Sequence, residues 1–192
     1  MTLVARVATC NLNQWALDFE GNYARVVASI DRARTQGATF RTGPELELTG
    51  YSCEDSFLEN ETVHMAWESV RRLLAEGHTQ AMIVDVGMPV LHRSVRYNAR
   101  VLLVNGRVVG VRPKLLLAND GNYREMRYFT PWWFDATESG YGPLQVFELP
   151  PAIAHETGQQ TVPIGIFALV DELGVSVGFE TCEELFTPKA PH

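Results

Sequence analysis

Long apolar runs are missing from this sequence, and with them any case for a membrane span. The opening MTLVARVATC is interrupted by Arg6, and no basic stretch followed by a hydrophobic core marks a leader. Basic residues are in deficit as well: 16 Lys and Arg stand against 23 Asp and Glu, a net charge of −7, which argues against nucleic acid or an anionic membrane as partner. Cysteine is scarce and odd in number. Cys10, Cys53 and Cys182 lie far apart, which disfavours a disulfide framework and leads us to expect a reducing, cytoplasmic setting. There is no CxxC and no HxxxH, and His64, His78, His92, His155 and His192 do not cluster near cysteine, so no metal site is expected. Internal repeats, low-complexity tracts and interdomain linkers are also absent. What is there is 192 residues, 46% hydrophobic and 20% charged, enough to bury one sizeable core.

Periodicity outlines the elements. Leu3 to Thr9 reads as a buried strand, and Asn22 to Gln36 as an amphipathic helix that presents Tyr23, Val26, Val27, Ile30 and Ala33 on one face and stops at Gly37. Ala38 to Phe40 reads as a short strand running into a loop, and Glu61 to Ala75 as a second helix by the spacing of Val63, Trp67, Val70 and Leu74. Ala81 to Val86 is a further strand. Ala99 to Val104 and Arg107 to Val111 flank Asn105-Gly106, the dipeptide suited to a two-residue hairpin turn because both positions tolerate positive φ. Asp120-Gly121-Asn122 marks a loop, Trp132-Trp133-Phe134 a cover over a core edge or pocket, Pro143 to Pro151 a strand, and Ala152 to Gln160 an exposed loop. Ile164 to Val170 and Leu173 to Gly178 are the last two strand candidates. Helices alternate with early strands and an antiparallel pair follows, so the class is α/β or α+β with a mixed sheet.

Three segments carry candidate chemistry. In GFETCEELFTP, Cys182 stands where apolar residues stop; on a helical turn its sulfur would face unpaired backbone amides that favour thiolate. Its alternative is a buried structural cysteine, the reading that Cys10 and Cys53 keep. In TGPELELTGY, Pro44 fixes the chain before Glu45, and a carboxylate beside a thiol in an apolar pocket has its pKa raised by desolvation, which suits a general base. Glu45 and Glu47 read equally well as solvated loop acids. In VRPKLLLANDGNYRE, Lys114 precedes three leucines, where an ammonium stabilises an oxyanion or holds a thiolate, unless it is a surface lysine at a strand end.

In this order GPELELTGY, RPKLLLANDGNYRE and GFETCEELFTP resemble the Glu, Lys and Cys signatures of the nitrilase, or carbon–nitrogen hydrolase, superfamily. Adding ATCNLNQWALDFEGN, DVGMPVLHRSVRYN and RYFTPW narrows the resemblance to the glutaminase domain of eukaryotic-type glutamine-dependent NAD synthetases, from about Ala8 to His192. The resemblance implies a nitrilase-like α-β-β-α sandwich with a mixed sheet, with residues 1–192 as the N-terminal portion of the glutaminase domain, incomplete at the C-terminal end. It implies Glu45 as general base, with Glu47 its less suitable neighbour, Lys114 as catalytic lysine, Cys182 as nucleophile and Glu125 as the further glutamate kept close to lysine and base. Tyr123, Glu183 and Phe186 fall where such domains contact glutamine.

The implied reaction is glutamine amidohydrolysis, supplying ammonia to a separate synthetase domain that uses ATP and Mg to amidate deamido-NAD. No Gly- and Ser-rich pyrophosphate loop occurs in these residues, so the resemblance implies no cofactor in this chain, and it implies a homo-oligomer for full-length members. Two other functions remain open at this point. One is a stand-alone carbon–nitrogen hydrolase for another small amide, which a substrate panel distinguishes. The other is an inactive fragment that binds full-length subunits, which would co-purify with a larger homologue and release no ammonia.

Overall fold

The computed structural model describes residues 5–132, 142–187 and 190–191. Strand β1 (Val7–Thr9) leads to helix α1 (Phe19–Thr35), β2 (Phe40–Thr42) and α2 (Asn60–Ala75). The long strands β3 (Ile83–His92), β4 (Val95–Val104) and β5 (Arg107–Pro113) follow. The short helix α3 (Glu125–Tyr128), then β6 (Gln145–Glu148), α4 (Pro151–Thr157) and β7 (Thr161–Ile164) complete the main body, and β8 (Leu169–Val170) and β9 (Ser176–Val177) form a ribbon. Seven strands make one mixed sheet in the order β1-β2-β3-β4-β5-β7-β6. Its first three strands run parallel, β3, β4 and β5 are antiparallel, β5 pairs parallel with β7, and β6 closes the edge antiparallel to β7. The expected nitrilase-like class with a mixed sheet is therefore observed.

Helices α1, α2 and α4 cover one face of the sheet. Val26 and Ile30 of α1, Val70 and Leu73 of α2 and Ile153 of α4 are fully buried against Val84, Val86, Met88, Val101 and Ile164. Each such side chain contributes about 1.5–3 kcal/mol of gross hydrophobic stabilisation. Trp67 stacks on Phe147 with centroids 5.8 Å apart, joining α2 to β6. The other face is different in kind. Thr42 lies opposite Asp85, Gly87 opposite Arg100, and Arg100 opposite Arg112, so this face carries a row of charged residues beside apolar ones such as Leu102. The candidate site residues lie here.

Several boundaries differ from the sequence reading, each for a local reason. Helix α1 begins three residues earlier because the Asp18 side chain accepts from the Gly21 N–H at 3.1 Å and caps it. The segment Ala152 to Gln160, expected to be an exposed loop, is largely helix α4. Pro150-Pro151 reads as a breaker, yet proline is well accommodated in a first helical turn, and Gly158 at φ 71° ends the helix. The strand expected over Ala81 to Val86 is β3 and runs on to His92. Pro89, which removes a ladder donor, masks the continuation. Arg93 and Ser94, at φ 49° and 66°, turn the chain into β4 without any glycine to announce it.

The hairpin at Asn105-Gly106 forms as expected, with a register shift at Leu102/Leu103. The strand expected over Leu3 to Thr9 is described only as three residues; of the last two strand candidates, Ile164 ends β7, and the rest form only the two-residue pairing of β8 with β9. Trp132 is buried in the core; Trp133 and Phe134 lie outside the described residues.

Candidate active site

Glu45 is delivered by a loop pinned to the polar face. The Arg100 guanidinium, 6% exposed, donates to the carbonyls of Gly43 and Pro44 at 3.0 Å each and to Asp85 Oδ1 at 2.7 Å; Asp85 Oδ2 accepts from Thr42 Oγ1 at 2.8 Å. Gly87 lets the loop lie on the sheet: a Cβ there would stand 2.6 Å from the Leu46 nitrogen and 2.8 Å from the Pro44 oxygen. Leu46, directly after Glu45, adopts φ 51° and packs with Cys53, Phe57 and Phe129 in a small apolar cluster of its own. Glu47 is no solvated acid. It is fully buried and paired with Arg41 at 2.8 Å through both oxygens, which takes it out of contention as the base.

Lys114 follows β5 and is 1% exposed, so the surface-lysine alternative does not hold. Its ammonium donates to Glu45 Oε1 at 2.7 Å and to both oxygens of Glu125 at 2.9 Å. Burial opposes the charge, but the two carboxylates outweigh it and hold the pKa above the ordinary lysine value. Glu125, also buried, accepts from the Ala118 N–H at 3.1 Å and from the Tyr51 hydroxyl at 2.6 Å. Burial and the Glu125 carboxylate push the Tyr51 phenol well above its usual range, so it stays a donor. Glu45 Oε1 accepts a second bond from Asn98 Nδ2 at 2.5 Å. Its pKa is raised, chiefly by burial, with the negative charge of Glu125 adding to the rise and Lys114 and Asn98 working against it. Burial thus makes Glu45 a better proton acceptor than an ordinary solvated carboxylate.

Cys182 opens a five-residue 3-10 turn, Cys182–Phe186, and is exposed. Its φ of 49° is a left-handed conformation that costs a non-glycine residue roughly 1–3 kcal/mol and is characteristic of reactive side chains pushed out of a strand-to-turn corner. The thiol shares an open cavity of about 390 Å³ with Glu45, Thr42, Gly43, Arg100 and Phe179. Partial desolvation, then the negative charge of Glu45, raise the thiol pKa, while Lys114 and the Glu183 N–H pull the other way. Burial and Glu45 thus work against the thiolate that the helical turn suggested.

Glu45, Lys114, Glu125 and Cys182 are thus brought to one place from four distant segments. Tyr123 lines a neighbouring cavity of about 310 Å³ with Tyr51 and Glu125, its ring edge-on to Tyr51 at 6.1 Å. Glu183 is half-buried beside the thiol, and Phe186 is 79% exposed; neither lines the Cys182 cavity. Cys53, as expected of a structural cysteine, is buried and bonds the Thr49 and Gly50 carbonyls. Sequence reasoning missed Asn98, Arg100, Asp85, Tyr51 and Arg112. Asn98 and Arg100 sit in or beside VRYN, a stretch used for resemblance but given no role, because a polar residue inside a strand announces no partner.

The Carbon-nitrogen hydrolase family matches residues 6–192. The chain belongs to that family. This carbon–nitrogen hydrolase is 52% identical, over all of its length, to glutamine-dependent NAD(+) synthetase of Saccharomyces cerevisiae, covering 26% of that protein. It is 48% identical over 97% of its length to the Homo sapiens enzyme of the same name, covering 25%. The carbon–nitrogen hydrolase chain therefore spans about a quarter of the length of these relatives. Among solved structures, a glutamine-dependent NAD(+) synthetase from Cytophaga hutchinsonii superposes with a TM-score of 0.79 and 27% identity, covering 93% of this chain and 28% of that one.

Proposed function

We propose that this carbon–nitrogen hydrolase hydrolyses the side-chain amide of glutamine and that the ammonia serves the amidation of deamido-NAD to NAD. The observation that carries the reading is the Lys114 ammonium bonded at once to Glu45 and Glu125, with Glu45 and the Cys182 thiol lining the same cavity. The relatives' names support glutamine as the amide and NAD as the destination.

In this reading Glu45, its pKa raised so that it binds a proton readily, takes the thiol proton as Cys182 Sγ attacks the carboxamide carbon of glutamine. The C=O π pair moves onto oxygen, where Lys114 and the Glu183 N–H, already beside the sulfur, offset the charge. The tetrahedral species collapses as Glu45 returns the proton to nitrogen; the C–N bond breaks, ammonia leaves and a thioester remains. Water, deprotonated by Glu45, attacks the thioester, and the C–S bond breaks to give glutamate and the thiol. Glu125, held by Tyr51 and the Ala118 N–H, fixes the ammonium between the two carboxylates. Tyr123, Glu183 and Phe186 are proposed glutamine contacts. The adenylation and amidation that use ATP and Mg are assigned to the length of the relatives that this chain does not span, as is homo-oligomer formation.

The test is Cys182→Ala in the intact protein. Glutamine-driven NAD formation should disappear while ammonia-driven formation persists; loss of both would make the cysteine structural. A panel of small amides separates this reading from a general amidase, since activity indifferent to the glutamine α-amino and α-carboxyl groups would contradict it.

A further inference from the structure

One buried carboxylate next to the site has no part in the mechanism above. Glu184 is completely buried and lies two residues beyond Cys182. Arg112 Nη1 donates to both its oxygens at 2.6 Å; Oε1 also accepts from the Leu115 N–H, and Oε2 from the Thr181 N–H at 2.7 Å. The Thr181 side chain in turn accepts from the Glu184 N–H, completing a capping box. The donors define what is being joined. Arg112 and Leu115 bracket Lys114, and Thr181 immediately precedes Cys182, so a single carboxylate ties the lysine segment to the nucleophile turn across about 70 residues of chain.

Among the described residues, no other side chain of that turn is buried. Glu184 is its buried residue, whereas Leu185 and Phe186 are 49% and 79% exposed. The turn is held by charge rather than by hydrocarbon, and it must hold a cysteine at φ 49°. Stability alone gives no reason for the arrangement, because a buried ion pair roughly breaks even against apolar side chains of the same volume. Geometry does: the acceptor lobes of one carboxylate set the distance between two backbone segments.

We propose that Glu184 is a positioning residue, whose carboxylate, shared by Arg112, Leu115 and Thr181, sets Cys182 against the Lys114–Glu45 pair. The proposal rests on Cys182 being the nucleophile. Glu184→Gln preserves shape but turns one acceptor oxygen into an NH2 that faces a backbone N–H, donor against donor. It also leaves Arg112 buried without its counter-charge, since Arg112 Nε and Nη2 find no acceptor among the described residues. The double variant Arg112→Met/Glu184→Gln removes that stranded charge and keeps the protein foldable while the two-sided acceptor stays lost.

Both variants are assayed in the intact protein, after a cooperative thermal transition has established folding, for glutamine hydrolysis and for the pH profile of Cys182 alkylation by iodoacetamide. We expect kcat to fall about 100-fold, the scale of an ångström's misplacement, with KM changed less than about threefold. The inflection that Glu45 imprints on the alkylation profile should vanish in both variants. Wild-type kcat in either variant overturns the proposal, as does recovery of kcat in the double variant, which would make the pair a stability element. Failure of both to fold also overturns it, in favour of a role in the fold. A Cys182→Ala protein that still hydrolyses glutamine removes the nucleophile reading and this proposal together, whereas an inert Cys182→Ala beside a fully active Glu184→Gln removes the proposal alone.

Discussion

At the scale of single residues, the proposed base Glu45 is the group expected to set how the site responds to pH. Burial and Glu125 raise its pKa; Lys114 and Asn98 hold it down. A base must be ionised to act, so glutamine hydrolysis should rise with pH through the raised value. Lys114→Met should move that acidic limb to higher pH as well as slow the reaction, because the largest charge favouring the carboxylate is gone. A pH–rate profile of the two proteins checks this, and a limb that stays in place would remove Glu45 as the titrating group. Linkage supplies a second reading. Between the ordinary glutamate pKa and the raised one the folded protein binds a proton that the unfolded chain has released, so this group's contribution to stability falls as pH rises across that window. Glu45→Gln should abolish that part of the slope in denaturant titrations run at several pH values. Glu45, Lys114 and Cys182 stood out in short local motifs and Glu125 through the family resemblance, and the fold brings all four together. Asn98, Tyr51 and Glu184 did not stand out, because what distinguishes them is which atom they meet from another segment.

At the scale of elements, the loop carrying Glu45 depends on a strand it never joins. Gly87 in β3 leaves no room for a side chain beneath Pro44 and Leu46, and the Leu48 N–H donates to the Gly87 carbonyl at 3.2 Å. Gly87→Ala should lift the loop and break the Arg100 bonds to the Gly43 and Pro44 carbonyls. We expect kcat to drop by about 10- to 100-fold while the fold is retained, since the substituted strand still buries its apolar partners. Steady-state kinetics beside a thermal melt checks this, and an active Gly87→Ala would show that the loop is not held from below. The same strand shows where reading by element stops. Helix α2 and the β4–β5 hairpin carry strong periodic and turn signals, whereas the second half of β3 is hidden behind Pro89 and turned by Arg93 and Ser94, residues with no particular preference for positive φ. Helix α4 is hidden by the two prolines that begin it.

At the scale of the whole molecule, the two faces of the sheet differ in how much buried charge they carry, the Arg41–Glu47 pair being the charge on the helix-covered side. One face packs α1, α2 and α4; the other carries Asp85, Arg100, Arg112 and Lys114 with their partners, nearly all out of water. Buried pairs are screened far less than exposed ones, so raising salt from about 0.05 to 0.5 M should shift the thermal midpoint by no more than a few degrees, despite the net charge of −7. A calorimetric scan at the two ionic strengths checks this, and a large shift would mean that the exposed pairs, such as Arg127–Asp55, carry the electrostatic stability. The sequence by itself determined the class of fold, the two long helices and the hairpin at Asn105-Gly106, because these depend on neighbours within a few positions. Only the tertiary structure decided that Glu45 lines the Cys182 cavity while Glu47 pairs with Arg41, that burial and Glu45 work against the Cys182 thiolate, and that Arg100 bonds the Glu45 loop and Glu184 the Cys182 turn. Those outcomes depend on burial and on distances between segments some 50 to 70 residues apart, which no local pattern encodes.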